Sequence, residues 1–330
     1  MTIYYYLSFL FLALIYLYFS KKFEFKSIVN SHQKFATNNI PPLLGGYFLV
    51  LVILLNDEIN LYQKVLFFLI FLLGTSSDFK IINSPNIRLI LQTFVVIFFI
   101  SFSNLNLENT RIEFLDFLLR NLYFNLLFCS FCVIILMNGS NFIDGLNGLA
   151  SGYYIIVLFI LSKIGLTYEI ANENFLHLLI FVLVLTFILN LFNKIYLGDS
   201  GSYLIGFFIA TLLISVYSKN SYLSPFYIIL LIWYPCFENL FSLTRKFYSK
   251  ISPFKPDNLH LHQLIFNKIL IKTNLQKNYA NNLTSILILA YNFFAILFAT
   301  TNYSNTKLQI FILLLNIFTY LVIYFLLKKK

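Results

Sequence analysis

Asn121-Leu-Tyr-Phe-Asn-Leu-Leu-Phe-Cys-Ser-Phe-Cys-Val-Ile-Ile-Leu-Met137 runs without a charge into Asn138-Gly-Ser-Asn-Phe-Ile-Asp-Gly-Leu-Asn-Gly-Leu-Ala150. The first half is long and apolar enough to cross hydrocarbon as a helix. The second half concentrates amides, a carboxylate and glycines where the apolar run ends. The same alternation recurs along the chain, and it decides the fold: apolar helices joined by loops, some of which carry a polar island.

Of the 330 residues, 59% are hydrophobic and 11% charged, about half the charge of a soluble domain. Apolar runs near membrane-crossing length fall at about 3–19, 42–55, 63–76, 87–102, 121–137, 147–163, 174–190, 203–217, 223–243, 282–301 and 308–327. The fold class is thus an all-α integral membrane protein, a single polytopic unit over residues 1–330 with about eleven transmembrane helices. The second and third runs are short, so hydropathy also admits nine or ten. With eleven spans and the N-terminus outside, 17 Lys and Arg fall on the cytoplasmic side and 6 on the other, the asymmetry that orients membrane proteins. The C-terminus is then cytoplasmic. The first run lacks a basic segment before it and is followed by Lys21-Lys22, so it reads as a retained helix rather than a cleaved leader.

The net charge of +10 needs no nucleic acid. Lys and Arg on the cytoplasmic face would meet anionic lipid headgroups and draw in a polyanionic substrate. Cys129, Cys132 and Cys236 lie inside apolar helices and read as packing residues rather than a metal or redox motif.

This topology places the cytoplasmic loops near 20–46, 76–88, 138–148, 191–202 and 244–281. They carry or adjoin all five islands: Pro41-Pro-Leu-Leu-Gly-Gly46, Ser77-Asp78, Asn138 to Asn147, Leu197-Gly-Asp-Ser-Gly-Ser202, and Pro256-Asp-Asn-Leu-His-Leu-His262. A transporter would place ionisable or unwound segments near the bilayer midplane. Here only Glu238 is a plausible intramembrane carboxylate.

Asn138, Asn141, Asp144 and Asn147 recur every three positions, which on a helical turn sets them along one side. Around Asp199, Gly198, Ser200 and Gly201 leave room for a phosphate or a hydrated cation. Mg²⁺ takes a few carboxylates together with substrate phosphates and water, so acids from separate loops suit it. His260-Leu-His262 follows two prolines and reads as extended or turned, able to bind metal or to donate hydrogen bonds to a nucleotide. Lys80, Arg88 and Lys194 lie near acidic islands on the same face. A divalent cation, cationic and amide donors, and no nucleophile motif together describe phosphoryl transfer.

In this order the islands resemble the polyprenyl-phosphate N-acetylhexosamine-1-phosphate transferases, glycosyltransferase family 4. The matching pieces are Gly45-Gly46, Asp78 with Ser84-Pro85 and Arg88 to Gln92, Asn138-x-x-Asn141-x-x-Asp144-Gly-x-x-Gly148, Gly198-Asp199-x-Gly201-Ser202, and Tyr234-Pro through Glu238 to Pro256-Asp-x-x-His-x-His262. The resemblance implies that a UDP-linked N-acetylated amino sugar gives its sugar 1-phosphate to undecaprenyl phosphate or a related carrier, releasing UMP. It implies Mg²⁺ or Mn²⁺ at Asp199 and Asp144, with Asp78, Asp144 and Asp199 as catalytic acids. Asn138, Asn141, Asn147, Arg88, Lys194, His260 and His262 then bind the nucleotide sugar and its phosphates. The implied setting is the bacterial inner membrane with the site facing the cytoplasm; the sequence does not fix the oligomeric state, and a homodimer is one option.

The chain departs from the family pattern at Ser77 and Asn147, where relatives often carry acids, and at Gln263, where they often carry a third His. The Pro-Asp-x-x-His-x-His loop is closer to enzymes that start O-antigen, common antigen, capsule or teichoic acid chains than to the phospho-MurNAc-pentapeptide transferases of peptidoglycan synthesis, the alternative within the family. The rival readings of another class are a transporter or flippase and a noncatalytic homologue.

Overall fold

The computed structural model describes residues 6–14, 41–57, 59–166, 172–252, 255 and 257–328. The expected loop at 20–40 and the chain's first residues lie outside the described residues, as do Pro253 and Pro256. Everything regular among the described residues is helical, in fourteen helices: α1 (6–14), α2 (Gly45–Leu55), α3 (Leu61–Asp78), α4 (Pro85–Phe102), α5 (Glu113–Leu119), α6 (Leu122–Ile143), α7 (Leu149–Ile164), α8 (Glu173–Leu191), α9 (Gly198–Lys219), α10 (Pro225–Leu231), α11 (Trp233–Tyr248), α12 (Leu261–Thr273), α13 (Lys277–Thr300) and α14 (Thr306–Lys328). Six of them, α4, α6, α8, α9, α13 and α14, are long and apolar enough to cross a membrane, and the α10–α11 pair makes a seventh if its two limbs form one span. The chain is a multi-pass membrane protein.

Within the described residues each apolar run read from the sequence coincides with helix, but the run at 223–243 is not continuous. It bends by 81° between α10 and α11. Pro235 explains the break, because its ring excludes the carbonyl of Leu231 four residues back. That carbonyl instead accepts a hydrogen bond from the Tyr153 hydroxyl at 3.1 Å. Two helices, α5 and α12, lie in stretches the sequence left as connections.

The centre of the bundle is α9, buried at every position from Ser200 to Tyr217 and packed against α2, α3 and α6. Lipid supplies no hydrophobic drive between helices, so close approach through small residues does this work. A Cβ at Gly74 of α3 would collide with the backbone of Ser200, and one at Gly46 of α2 would lie 2.6 Å from the amide nitrogen of Gly201. The start of α9 is thereby held tightly between α2 and α3. Large apolar side chains such as Leu122, Phe131, Phe294 and Phe318 remain exposed, as a lipid-facing surface requires.

Candidate active site

Asp78 ends α3 and Asp199 opens α9. The Asp78 carboxylate takes both of the first amides it can reach there, from Asp199 N–H at 2.8 Å and Ser200 N–H at 3.0 Å. A helix N-terminus leaves such amides without intrahelical partners and favours negative charge, so a buried Asp78 caps α9 from another helix. The turn before it requires Gly198, at φ +76°, where a Cβ would lie 2.9 Å from an Asp78 oxygen. The Pro41–Gly46 island closes the other side of this turn: Tyr196 N–H donates to Pro42 O at 2.9 Å, and Gly45 N–H to Tyr196 O at 3.0 Å.

Capping leaves the Asp199 side chain pointing away from its own helix. Asn141 donates to its Oδ1 at 2.7 Å and to Ser202 Oγ at 3.2 Å. Its Oδ2 receives the Ser77 hydroxyl and stands 3.3 Å from Arg88 Nη1, which also donates to Ser77. Four separate elements, α3, α4, α6 and α9, thus meet on one carboxylate that keeps 15% of its side chain exposed. Asp144, at the end of α6, completes the acid set. Burial pushes its carboxyl well above the usual range, and the charges of Asp199 and Asp78 push it further.

The island from Asn138 to Asn147 does not present its four polar residues along one side. α6 continues through Ile143, so Asn138 and Asn141 are helical, and the Asn138 amide turns back to Ile134 O at 3.0 Å. Asn147 lies beyond the helix end and faces elsewhere. Its amide donates to Asn193 and Asn282, each at 2.9 Å, and its backbone N–H to Asn281 at 2.8 Å. Asn190 takes the neighbouring Gly148 N–H. This asparagine cluster ties the island to α8 and α13, and sequence reading missed it. The signal was Asn190 and Asn281-Asn282 interrupting otherwise apolar stretches.

The His segment divides between loop and helix. His260 is extended, at φ −78° and ψ 145°, as its proline-rich context suggests, whereas His262 is in the first turn of α12 rather than in a loop. His260 Nδ1 is 2.9 Å from Glu238 Oε1, and its ring lies 5.0 Å from that of Phe142. His262 is fully buried with neither ring nitrogen partnered, and a Cβ on Gly145 would lie 3.0 Å from its Nε2. Both imidazoles therefore reach the Asn138–Ala150 island. Lys194 is exposed on the short connection before α9.

The donor set suits a hard cation. Asp144, Asp199 and the Ser77 and Ser202 hydroxyls offer oxygen ligands, and Asp144 and Asp199 come from separate elements, the end of α6 and the start of α9. Among the described residues no three His, Cys, Asp or Glu side chains are grouped to hold one ion. One or two carboxylates with water and substrate phosphate completing the shell is the ordinary way Mg²⁺ is bound.

The family model described as "Glycosyl transferase family 4" matches residues 60–217, the stretch that carries Asp78, Arg88, Asn141, Asp144 and Asp199. Similar curated proteins include an undecaprenyl-phosphate alpha-N-acetylglucosaminyl 1-phosphate transferase of Thermotoga maritima, 26% identical over 76% of either chain. A protein of the same name from Escherichia coli O157:H7 is 27% identical over 62% of this chain and 58% of its own length. A decaprenyl-phosphate N-acetylglucosaminephosphotransferase of Mycobacterium tuberculosis is 32% identical over 38% of this chain and 37% of its own. The family that the sequence islands resemble is the one whose model matches residues 60–217.

Proposed function

We propose that this chain, homologous to glycosyl transferase family 4 over residues 60–217, transfers the 1-phosphate of an N-acetylated amino sugar from a UDP-sugar to undecaprenyl phosphate. An oxygen of the carrier phosphate bonds to the sugar-linked phosphorus, the bond between the two donor phosphates breaks, and UMP leaves with that electron pair. The convergence of Asp78, Arg88, Asn141 and Asp199 at the start of α9 is the observation that carries this reading, together with the relatives' names.

The residues have separable tasks. Asp199 and Asp144 would hold Mg²⁺, which would supply positive charge against the donor pyrophosphate. Asp78 keeps the opening of α9 in register, so Asp199 is presented by a fixed backbone. Asn141 fixes one Asp199 oxygen. Arg88 is paired with Asp199 and can exchange that contact for two phosphate oxygens, the bidentate match for guanidinium. His260, just before α12, and His262, in its first turn, face the same island and serve the nucleotide sugar. Ser77 stands where an acid is common, and its hydroxyl bonds Asp199, so chemistry here is assigned to one acid of that pair. Catalysis of this kind is positioning and electrostatics.

The same reading sets eleven crossings with the N-terminus outside and the site on the cytoplasmic face of the inner membrane, and a pathway that starts an envelope glycan. The test is purified protein with Mg²⁺, UDP-N-acetylglucosamine and undecaprenyl phosphate. UMP release is expected, with a loss of about a hundredfold or more in Asp199→Asn, the scale of removing one electrostatic group at a transition state. Equal turnover in that variant would overturn the assignment.

A further inference from the structure

Glu238 lies on α11, and its side chain is 1% exposed. A buried carboxylate is costly unless it is paired and hydrogen-bonded. Here Oε1 takes two groups at once: His260 Nδ1 at 2.9 Å and the Leu261 N–H, the first amide of α12, at 3.2 Å. The His260 Nε2 faces Asp257 Oδ1 at 3.7 Å. Asp257 is in turn gripped by Arg245 through both its oxygens, at 3.1 and 2.9 Å. Against the cost of burial, the Leu259 N–H and Arg245 keep the Asp257 carboxyl below its ordinary range.

The consequence reaches His262. The two imidazoles stack at 5.6 Å with 17° between their planes, and His262 has no hydrogen-bond partner of its own. Its place beside Gly145, next to Asp144, is therefore set by α12 and by the stacked His260, both of which Glu238 holds. We infer that Glu238 is a positioning residue: its carboxylate fixes the His260 ring and the start of α12, and so presents His262 to the nucleotide sugar. This rests on the transferase reading above and adds to it a residue that touches no substrate.

The role is one of reach rather than charge, because a neutral carbonyl in the same place could accept both hydrogen bonds. Glu238→Gln keeps the reach and loses the charge. Glu238→Asp keeps the charge and draws the carboxyl back by one methylene. The inference expects Gln within about threefold of the parent in kcat/KM and Asp lower by about tenfold, the loss appearing in KM for the UDP-sugar and not in KM for undecaprenyl phosphate. Groups acting as a unit are non-additive. Glu238→Asp should therefore cost less than about threefold when introduced into a His260→Ala/His262→Ala protein.

All variants are compared in detergent with the full chain, and binding of UDP alone is measured beside turnover. If Asp outperforms Gln, if the carrier KM moves instead, or if the losses multiply in the double-His background, the inference fails. Absence of turnover in the parent would sink the transferase reading instead. In that event an unchanged UDP affinity in Glu238→Asp overturns the positioning role, and a weakened one that Glu238→Gln restores supports it.

Discussion

A single carboxylate, Asp199, collects hydrogen bonds from residues 58, 111 and 122 positions away. None of those pairings has a sequence period. The acid was legible because glycine and serine surround it in an apolar chain, where such residues are expensive without purpose. Its partners were less so. Ser77 reads as a lost acid, and only the fold turns it into a hydroxyl donor to Asp199. Asn147 reads as a substrate ligand by spacing, yet the helix ends before it and its amide joins Asn193 and Asn282.

At this scale His262 gives a pH prediction. Burial pushes its imidazole down to about 4, while the unfolded residue titrates near an ordinary value of about 6.5. Between those values the unfolded chain binds the extra proton, so the folded state loses stability as pH falls through that window. Thermal unfolding in detergent should show His262→Gln with a shallower loss than the parent between about pH 6.5 and 4. Parallel curves would contradict the buried neutral imidazole.

Among the elements, α9 shows what hydropathy can and cannot reveal. The apolar run was visible, as were the other long runs, since 15 or more greasy residues leave few alternatives. That α9 would be the buried centre was not visible, because a helix apolar all round looks the same facing lipid or protein. The break at Ile232 was not read from the sequence, although Pro235 lies inside the run. By contrast α12, Leu-His-Gln-Leu-Ile-Phe-Asn-Lys-Ile-Leu-Ile-Lys-Thr, is short and mixed, and the nearby prolines suggested a loop. Packing of α3 on α9 yields a further expectation. Gly74→Val would drive a side chain into the Ser200 backbone, and overpacking of this kind costs about 1–3 kcal/mol. The same displacement would move Asp199 off the Asp78 cap. Melting temperature and UMP release should fall together, and a stable, fully active Gly74→Val would show that the approach of these helices is unimportant to the site.

Across the molecule, the polar islands fall at the ends of α3 and α6 and at the starts of α2, α9 and α12. A different set of contacts holds the connections beyond the other ends of the helices. There Arg111 donates to Ser304 O at 3.0 Å and Leu223 O at 2.9 Å, tying three connections together. The proposed topology assigns those connections to the outer face and the islands to the cytoplasm. In a protein with Cys129, Cys132 and Cys236 replaced by alanine, Lys194→Cys should be labelled by a membrane-impermeant maleimide only from the cytoplasmic side, and Lys307→Cys only from outside. Labelling of both from one side would refute the orientation.

The central claim, that these islands form one site for sugar 1-phosphate transfer, is tested most directly by weighing the lipid product. Purified protein is incubated with Mg²⁺, undecaprenyl phosphate and each of a panel of UDP-N-acetylhexosamines. Mass spectrometry should find the carrier heavier by one sugar phosphate with at least one donor, and unchanged when Asp199→Asn replaces the parent. A protein that binds the nucleotides yet never alters the mass of the carrier would contradict the account.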